Sequence, residues 1–226
     1  MYLLLLGSPR SGTTLLASLI AAHSDVAMLI EDKNFAIKKL TGKKILANKL
    51  CIPHQMEISK KANLFSRALK KTPLMQNYPA SAYSIQDYLK LKDIKIVGIL
   101  RNPDNVIASI MKRGKKEKTI AQKRWSRAVE ILYEVHKDHT DKIILIAYED
   151  LVAEPESLLK KITDFIGINF QPQMLEGYKY NILYPGETGI DKSRNQKMVP
   201  ETNNFEQIDK NIREKYSSLL AIKINP

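Results

Sequence analysis

A continuous apolar run, Tyr2-Leu-Leu-Leu-Leu6, stops at Gly7-Ser-Pro-Arg-Ser-Gly-Thr-Thr14, and a segment with Leu15, Leu16, Leu19 and Ile20 at helical spacing follows at once. No other stretch restricts the fold as strongly. An unbroken apolar strand has both faces buried, as in a parallel sheet covered by helices. A glycine-bearing loop between such a strand and a helix turns backbone N–H groups inward, and the positive end of the helix dipole adds to the field there. The opening segment therefore predicts an α/β chain with an anion site at its first strand-to-helix turn. Arg10 offers a fork suited to phosphate or sulfate oxygens, and Ser11, Thr13 and Thr14 supply hydroxyls around Gly12. Gly7 and Gly12 have the spacing of a nucleotide-triphosphate loop, but Thr13 stands where that loop carries lysine. Without the lysine, ATP or GTP hydrolysis is disfavoured.

The rest of the chain alternates strands and helices. Strands are predicted over 26–30, 44–52, 94–100 and 142–148. Helices are predicted over 13–22, 34–40, 105–113, 121–137 and 156–166, with a closing helix over 205–220. Such alternation implies a three-layer P-loop-like fold, a central parallel β-sheet flanked by helices, with right-handed crossovers. At 226 residues the chain reads as a single domain, 1–226. The stretch 54–88, with Pro73, Pro79 and several tyrosines, reads as an insertion or a lid over an acceptor site. The polar stretch 181–204 reads as a surface loop.

Thirty-six Lys and Arg against 24 Asp and Glu leave a net charge of +12, which favours nucleotides and other anions as partners. Solvated lysine-rich faces account for such a balance equally well, so charge alone assigns nothing. The chain has neither a recognition-helix motif nor an aromatic-basic stacking platform, so specific nucleic-acid binding is not expected. One cysteine, Cys51, excludes an intramolecular disulfide and a Cys-based zinc site. His136 and His139 share a helix without an obvious third ligand, so no metal is expected. No apolar run approaches the roughly 18 residues of a membrane span. The expectation is a cytoplasmic chain without a membrane span.

Pro9-Arg-Ser-Gly-Thr-Thr14, the Leu-rich helix after it and Ala22-His-Ser-Asp-Val26 resemble the 5′-phosphosulfate loop of sulfotransferases, in the arginine-containing Golgi-type and bacterial branch. Arg101-Asn-Pro-Asp-Asn-Val-Ile-Ala-Ser109 resembles the family's Arg-Asp-Pro-Arg-Asp-Val segment. It lies at a strand's carboxyl end, the edge where α/β sheets bind ligands. The resemblance implies 3′-phosphoadenosine 5′-phosphosulfate (PAPS) as co-substrate and adenosine 3′,5′-bisphosphate (PAP) as product. It assigns the 5′-phosphosulfate to Arg10, Ser11, Gly12, Thr13 and Thr14, and the 3′-phosphate to Arg101 and Ser109. Ala147-Tyr-Glu-Asp-Leu151 resembles a recurrent family segment in which Tyr148 and Glu149 brace the sheet edge. Asp191-Lys-Ser-Arg-Asn-Gln-Lys197 falls where the family's C-terminal loop closes over the nucleotide, which brings Ser193 and Arg194 towards the sulfate or the 3′-phosphate.

Sulfuryl transfer requires a proton acceptor, in-line geometry and compensation for charge on the leaving phosphate oxygen. The resemblance makes Glu31, directly after the second strand, the base. Asp32 competes with it, and a helix N-terminal acid is the plain alternative for either. A histidine base after a Lys-Thr pair is disfavoured, because Lys71-Thr72 leads into Pro73. The leaving-group lysine is Lys49 or Lys71. Lys49 ends a well-formed strand and resembles the Asn-Lys of tyrosylprotein sulfotransferases; Lys71 fits a common Lys-Thr-Pro motif. Strand context favours Lys49, although an exposed lysine is the ordinary state in so basic a chain. For the acceptor, family frequency points to carbohydrate hydroxyls, with a small-molecule, amine-bearing, anionic or peptide-tyrosine acceptor also open. Two other functions compete: a P-loop kinase of a small substrate, marked by magnesium dependence, and a non-catalytic nucleotide- or polyanion-binding module.

Overall fold

The computed structural model describes residues 1–59, 83–114, 117–180, 189–190 and 205–226. Five parallel strands, β1 (Tyr2–Gly7), β2 (Val26–Ile30), β3 (Ile45–Cys51), β4 (Ile94–Leu100) and β5 (Ile143–Ala147), form one sheet in the order β2-β3-β1-β4-β5. The apolar run at the start of the chain takes the central place. Leu4 and Leu6 enter the core on one face, and Leu3 and Leu5 the core on the other, all four fully buried. A strand lined by helices on both sides has no solvent face, which is why the run shows no alternation.

On one face lie α1 (Thr13–Ala21), α5 (Tyr148–Ala153) and α6 (Pro155–Phe165), which bury Leu16, Leu19, Leu151, Leu158 and Ile162. On the other lie α2 (Ile85–Leu89), α3 (Pro103–Gly114), α4 (Lys118–Asp138) and α7 (Lys210–Ile222). There Trp125 of α4 meets Tyr216 of α7 edge to face, with ring centroids 5.0 Å apart. The three layers follow the alternation seen in the sequence, and the order of β1, β3 and β4 brings their carboxyl ends to one edge.

Several boundaries differ from the sequence expectation for local reasons. The helix expected over 34–40 is a 3-10 turn, Ala36–Lys39, anchored by the Asp32 carboxylate, which accepts from the Ala36 N–H at 2.7 Å. The strand expected over 142–148 ends at Ala147, because Tyr148 opens α5. A six-residue helix shows too little period to be read, and its first aromatic looked like strand. Helix α3 starts at Pro103, since proline in a first turn has no N–H to leave unsatisfied. The closing helix starts at Lys210, where the Asp209 carboxylate accepts from the Asn211 N–H at 2.9 Å. A 3-10 stretch at Pro172–Tyr180 was not anticipated.

Within 54–88, α2 follows Ser84, whose N–H donates to Asp87 Oδ2 at 2.9 Å. Residues 60–82, and with them Lys71, lie outside the described residues, as do 191–204 with Ser193 and Arg194. The lid and the closing loop are thus expectations on which the described residues do not bear. Among the described residues no helix is long and apolar enough to cross a membrane.

Gly98 in the middle of β4 is closely packed by β5 and α4 side chains. A Cβ there would lie 2.7 Å from Leu145 Cδ2 and 2.9 Å from Leu132 Cδ2. Gly98→Val should therefore lower stability by about 1–3 kcal/mol through overpacking. The check is the urea midpoint at an unchanged denaturant slope; an unshifted midpoint would contradict this packing.

Candidate active site

The loop after β1 turns tightly. Ser11 closes the turn: its N–H donates to Ser8 O at 3.1 Å and its hydroxyl donates to the same oxygen at 2.7 Å. The Ser11 hydroxyl, expected as an anion ligand, is therefore consumed inside the loop and buried at 1% exposure. Gly12 holds φ at 94°, where a side chain would be strained, and a Cβ there would meet the Tyr148 ring. Arg10 also has a positive φ, 73°, which an arginine adopts only under surrounding constraint.

That constraint comes from β4 and α3. Arg101 Nη1 donates to Arg10 O at 2.9 Å, and Arg10 Nε donates to Ser109 Oγ at 2.9 Å. The Arg101 guanidinium lies 4.0 Å from the centroid of the Tyr148 ring. Tyr148 thus supports Arg101 and roofs Gly12, a more specific place than the sheet-edge brace the sequence suggested. Its neighbour Glu149 accepts from the Asn102 N–H at 3.1 Å and fixes the start of α3.

A cleft of about 340 Å³ opens beside the loop, lined by Arg10, Gly12, Thr13, Thr14, Arg101 and Tyr148 on one side. The other side carries Glu31, Lys49, Cys51, His54 and Gln55. Lys49 points to the face of β3 that α1 covers, in line with Ile45 and Ala47, and its side chain is fully buried. Solvent exposure, the ordinary state of a lysine, does not apply here. Its ammonium donates to Glu31 Oε1 at 2.6 Å and reaches Cys51 Sγ at 3.6 Å. Thr13 Oγ1 approaches the same sulfur at 3.6 Å.

Glu31 leaves the end of β2 with φ 61°, while its N–H donates to Lys49 O at 2.8 Å. Asp32 is committed elsewhere: its carboxylate holds the 3-10 turn, and its backbone is bonded by the Asn48 side chain. It is absent from the cleft lining, and Glu31 is present.

Burial on its own would raise the Glu31 carboxyl, but the hydrogen bond and charge of Lys49, helped by Gln55 and His54, bring it below its ordinary value of 4.5. For Lys49 burial acts to lower the ammonium. The nearby Cys51 sulfur and the Glu31 carboxylate outweigh it and leave the group above 10.5. His54 is pushed down to about 4, by burial first and then by the positive charges of Arg124 and Lys33. It is a neutral imidazole at pH 7.

The structure brings Arg10, Gly12, Thr13, Thr14, Arg101, Glu31 and Lys49 to one cleft, with Ser109 held against Arg10 at its rim. The sequence reading missed Cys51, His54, Gln55 and Arg113 in the lining. Period-two alternation along β3 puts Cys51 on the Lys49 face and was a usable signal; His54 and Gln55 follow a turn after Pro53 that no short pattern marks. Among the described residues, no group of three or more His, Cys, Asp or Glu could hold a metal ion.

Residues 2–218 match the family model of the sulfotransferase domain. A cytosolic sulfotransferase of Arabidopsis thaliana is 23% identical over 190 aligned residues, covering 74% of this chain and 56% of the relative. A protein-tyrosine sulfotransferase of Drosophila melanogaster is 24% identical over 232, covering 90% of this chain and 45% of the relative. The chain thus spans about half the length of these curated relatives. Among solved structures, the sulfotransferase domain of a Synechococcus olefin synthase superposes with a TM-score of 0.61 at 17% identity, covering 99% of this chain and 95% of that one. A mouse sulfotransferase complexed with PAP superposes at 0.52 and 16% identity, covering 97% and 82% respectively. These likenesses establish a shared fold.

The two pKa shifts fix how the ion pair shapes stability. Glu31, lowered, contributes fully above 4.5 and loses its contribution as pH falls through its folded value. Lys49, raised, contributes fully below 10.5 and loses it as pH rises through its folded value. The stability difference between wild type and Glu31→Gln should be a plateau across neutral pH that falls away on both flanks. Urea unfolding across the pH range measures it, and a difference independent of pH would contradict the pairing.

Proposed function

This chain belongs to the sulfotransferase family, and from that premise we propose that its cleft binds PAPS and transfers the sulfuryl group to an acceptor hydroxyl. The observation that carries the reading is that a carboxylate–ammonium pair, Glu31 and Lys49 at 2.6 Å, shares one cleft with the anion-binding loop. The loop amides at the start of α1, with Arg10 and Thr14, hold the 5′-phosphosulfate. Arg101 faces the nucleotide's 3′-phosphate side.

In the transfer, the acceptor O–H gives its proton to Glu31 while its oxygen bonds to sulfur. The bond from sulfur to the 5′-phosphate oxygen breaks, and the Lys49 ammonium hydrogen-bonds that oxygen as charge grows on it. PAP and the sulfated acceptor leave. As Lys49 turns to the phosphate oxygen, Glu31 loses the hydrogen bond that lowered it, so its proton affinity rises at the step that needs a base. Lys49 takes this role in preference to Lys71 because it stands in the cleft beside the base. Thr13 at the lysine position of a triphosphate loop argues against the kinase reading.

Carbohydrate hydroxyls are the acceptor class we propose. Phenols and tyrosine peptides make the comparison set, since one curated relative is a protein-tyrosine sulfotransferase. With ³⁵S-labelled PAPS and this acceptor panel, Glu31→Gln should lower transfer about 10²–10⁴-fold and Lys49→Ala about 10²–10³-fold, with PAP binding retained in Glu31→Gln. Transfer should persist in EDTA. Full activity in Glu31→Gln would move the base to another group, of which His54, in the same cleft and neutral at pH 7, comes next. No transfer to any acceptor together with magnesium-dependent phosphoryl transfer would replace the reading with the kinase.

A further inference from the structure

Gln55 lines the cleft beside Glu31 and Lys49, and the transfer described above gives it no part. It is 4% exposed, in the turn that follows β3. That turn is tied to the strands. The Gln55 N–H donates to Cys51 O at 2.7 Å, the Cys51 N–H donates to Gln55 Oε1 at 2.7 Å, and the Ile52 N–H donates to Gly7 O at 2.9 Å. Backbone and side chain of Gln55 are therefore both fastened to the end of the strand that carries Lys49.

The bond from Cys51 settles how the amide faces. The two ends of a glutamine amide have nearly the same shape, and their hydrogen-bond partners tell oxygen from nitrogen. A backbone N–H needs an acceptor, so the end towards Cys51 is the oxygen and the far end is an NH2 group. A side chain so buried leaves a donor unbonded only at a cost, and the group that accepts from it in the cleft is the Glu31 carboxylate. Turned over, the amide would set a donor against the Cys51 N–H and its oxygen against the carboxylate. Gln55 is thus a neutral donor held in one orientation against Glu31.

Lys49 and Gln55 both hydrogen-bond Glu31, and the transfer separates them. Lys49 turns to the phosphate oxygen. Gln55 has no charge to draw it to the nucleotide, and its oxygen is tied to β3, so it stays. A neutral donor also stabilises a carboxylate less than an ammonium does, so it can hold the group without making it a poor base. We propose that Gln55 is a positioning residue, its side-chain amide keeping the Glu31 carboxylate aimed at the acceptor after Lys49 has left it. The inference rests on the reading of Glu31 as the base given under Proposed function. The bond from Cys51 to Gln55 also stabilises the turn by itself, a role that needs the oxygen and not the NH2 group.

Kinetics with ³⁵S-labelled PAPS at saturation, on the acceptor that wild type uses best, compare wild type, Gln55→Met, Glu31→Gln and the double variant, with PAP calorimetry and thermal unfolding alongside. The charged and titratable groups that share the cleft with Glu31, namely Lys49, Cys51, His54, Arg10, Arg101, Arg113 and Tyr148, are all retained in Gln55→Met. Gln55→Met should lower kcat roughly tenfold or more with PAP affinity kept. The low-pH limb of kcat should move to higher pH by about half a unit or more, because Glu31 has lost a bond that favours its charged form. In the Glu31→Gln background the same substitution should bring no further loss, since residues that act through one another are not additive. Equal losses in both backgrounds with the limb in place, the result of a role in the turn alone, overturn the assignment. Gln55→Glu keeps the oxygen that the Cys51 N–H needs and removes the donor, which covers a Gln55→Met protein that does not fold; wild-type kcat in Gln55→Glu also overturns the assignment. Wild type that transfers to no acceptor, or Glu31→Gln at full rate, overturns the reading of Glu31 as the base and this inference with it.

Discussion

Lys49 keeps its ammonium wholly out of water on the second strand from the sheet edge, and a buried ammonium is tolerated only where a counter-charge and acceptors surround it. Glu31 supplies that charge from the end of β2, and the Glu31 N–H to Lys49 O bond fastens the two strand ends together. On the reading proposed above, the chemistry takes place beside this pair. The pairing turns the carboxylate out of a helix-capping role into the cleft, keeps it ionised, and places a cation within reach of any anion seated on the loop. Removing Glu31 would leave the fully buried Lys49 ammonium without its counter-charge, so stability depends on the same pair.

The loop opposite is held by a second cluster. Arg101 bridges the Arg10 carbonyl and the face of Tyr148, while the Tyr148 ring covers Gly12. Three strand ends, β1, β4 and β5, thereby converge on one turn. Two residues facing the cleft, Arg10 and Glu31, have left-handed backbone conformations that a side chain rarely adopts, at φ 73° and 61°. Each is held by hydrogen bonds to neighbouring strands or helices, which is how local strain persists where geometry matters.

Much of this was legible in the residues. The unbroken Leu3–Leu6 run declared a strand covered on both faces, and the Gly7–Thr14 segment declared the turn after it. Arg101 and Glu31 were placed by their positions at strand ends. What escaped were features set by three-dimensional neighbours. Ser11 looks like a ligand in sequence because a hydroxyl beside Gly-Thr-Thr is a natural anion donor; only the tight turn shows it bonded to Ser8 O. Glu31 was preferred to Asp32 from the sequence, but the 3-10 turn that occupies the Asp32 carboxylate was not visible there. Strand context already favoured Lys49, but its complete burial appears only once α1 is seen to cover that face of β3. Arg113 looks like a plain helix-end cation, because nothing in a linear reading says that α3 ends over the cleft.

The most direct test is a crystal structure of the protein with PAP. The account predicts the 5′-phosphate on the amides of the Gly12–Thr14 turn, with Lys49 Nζ moved from Glu31 to a phosphate oxygen and the 3′-phosphate on the Arg101 side. Nucleotide bound elsewhere, or a seated 5′-phosphate with the 2.6 Å Lys49–Glu31 bond intact, would contradict it.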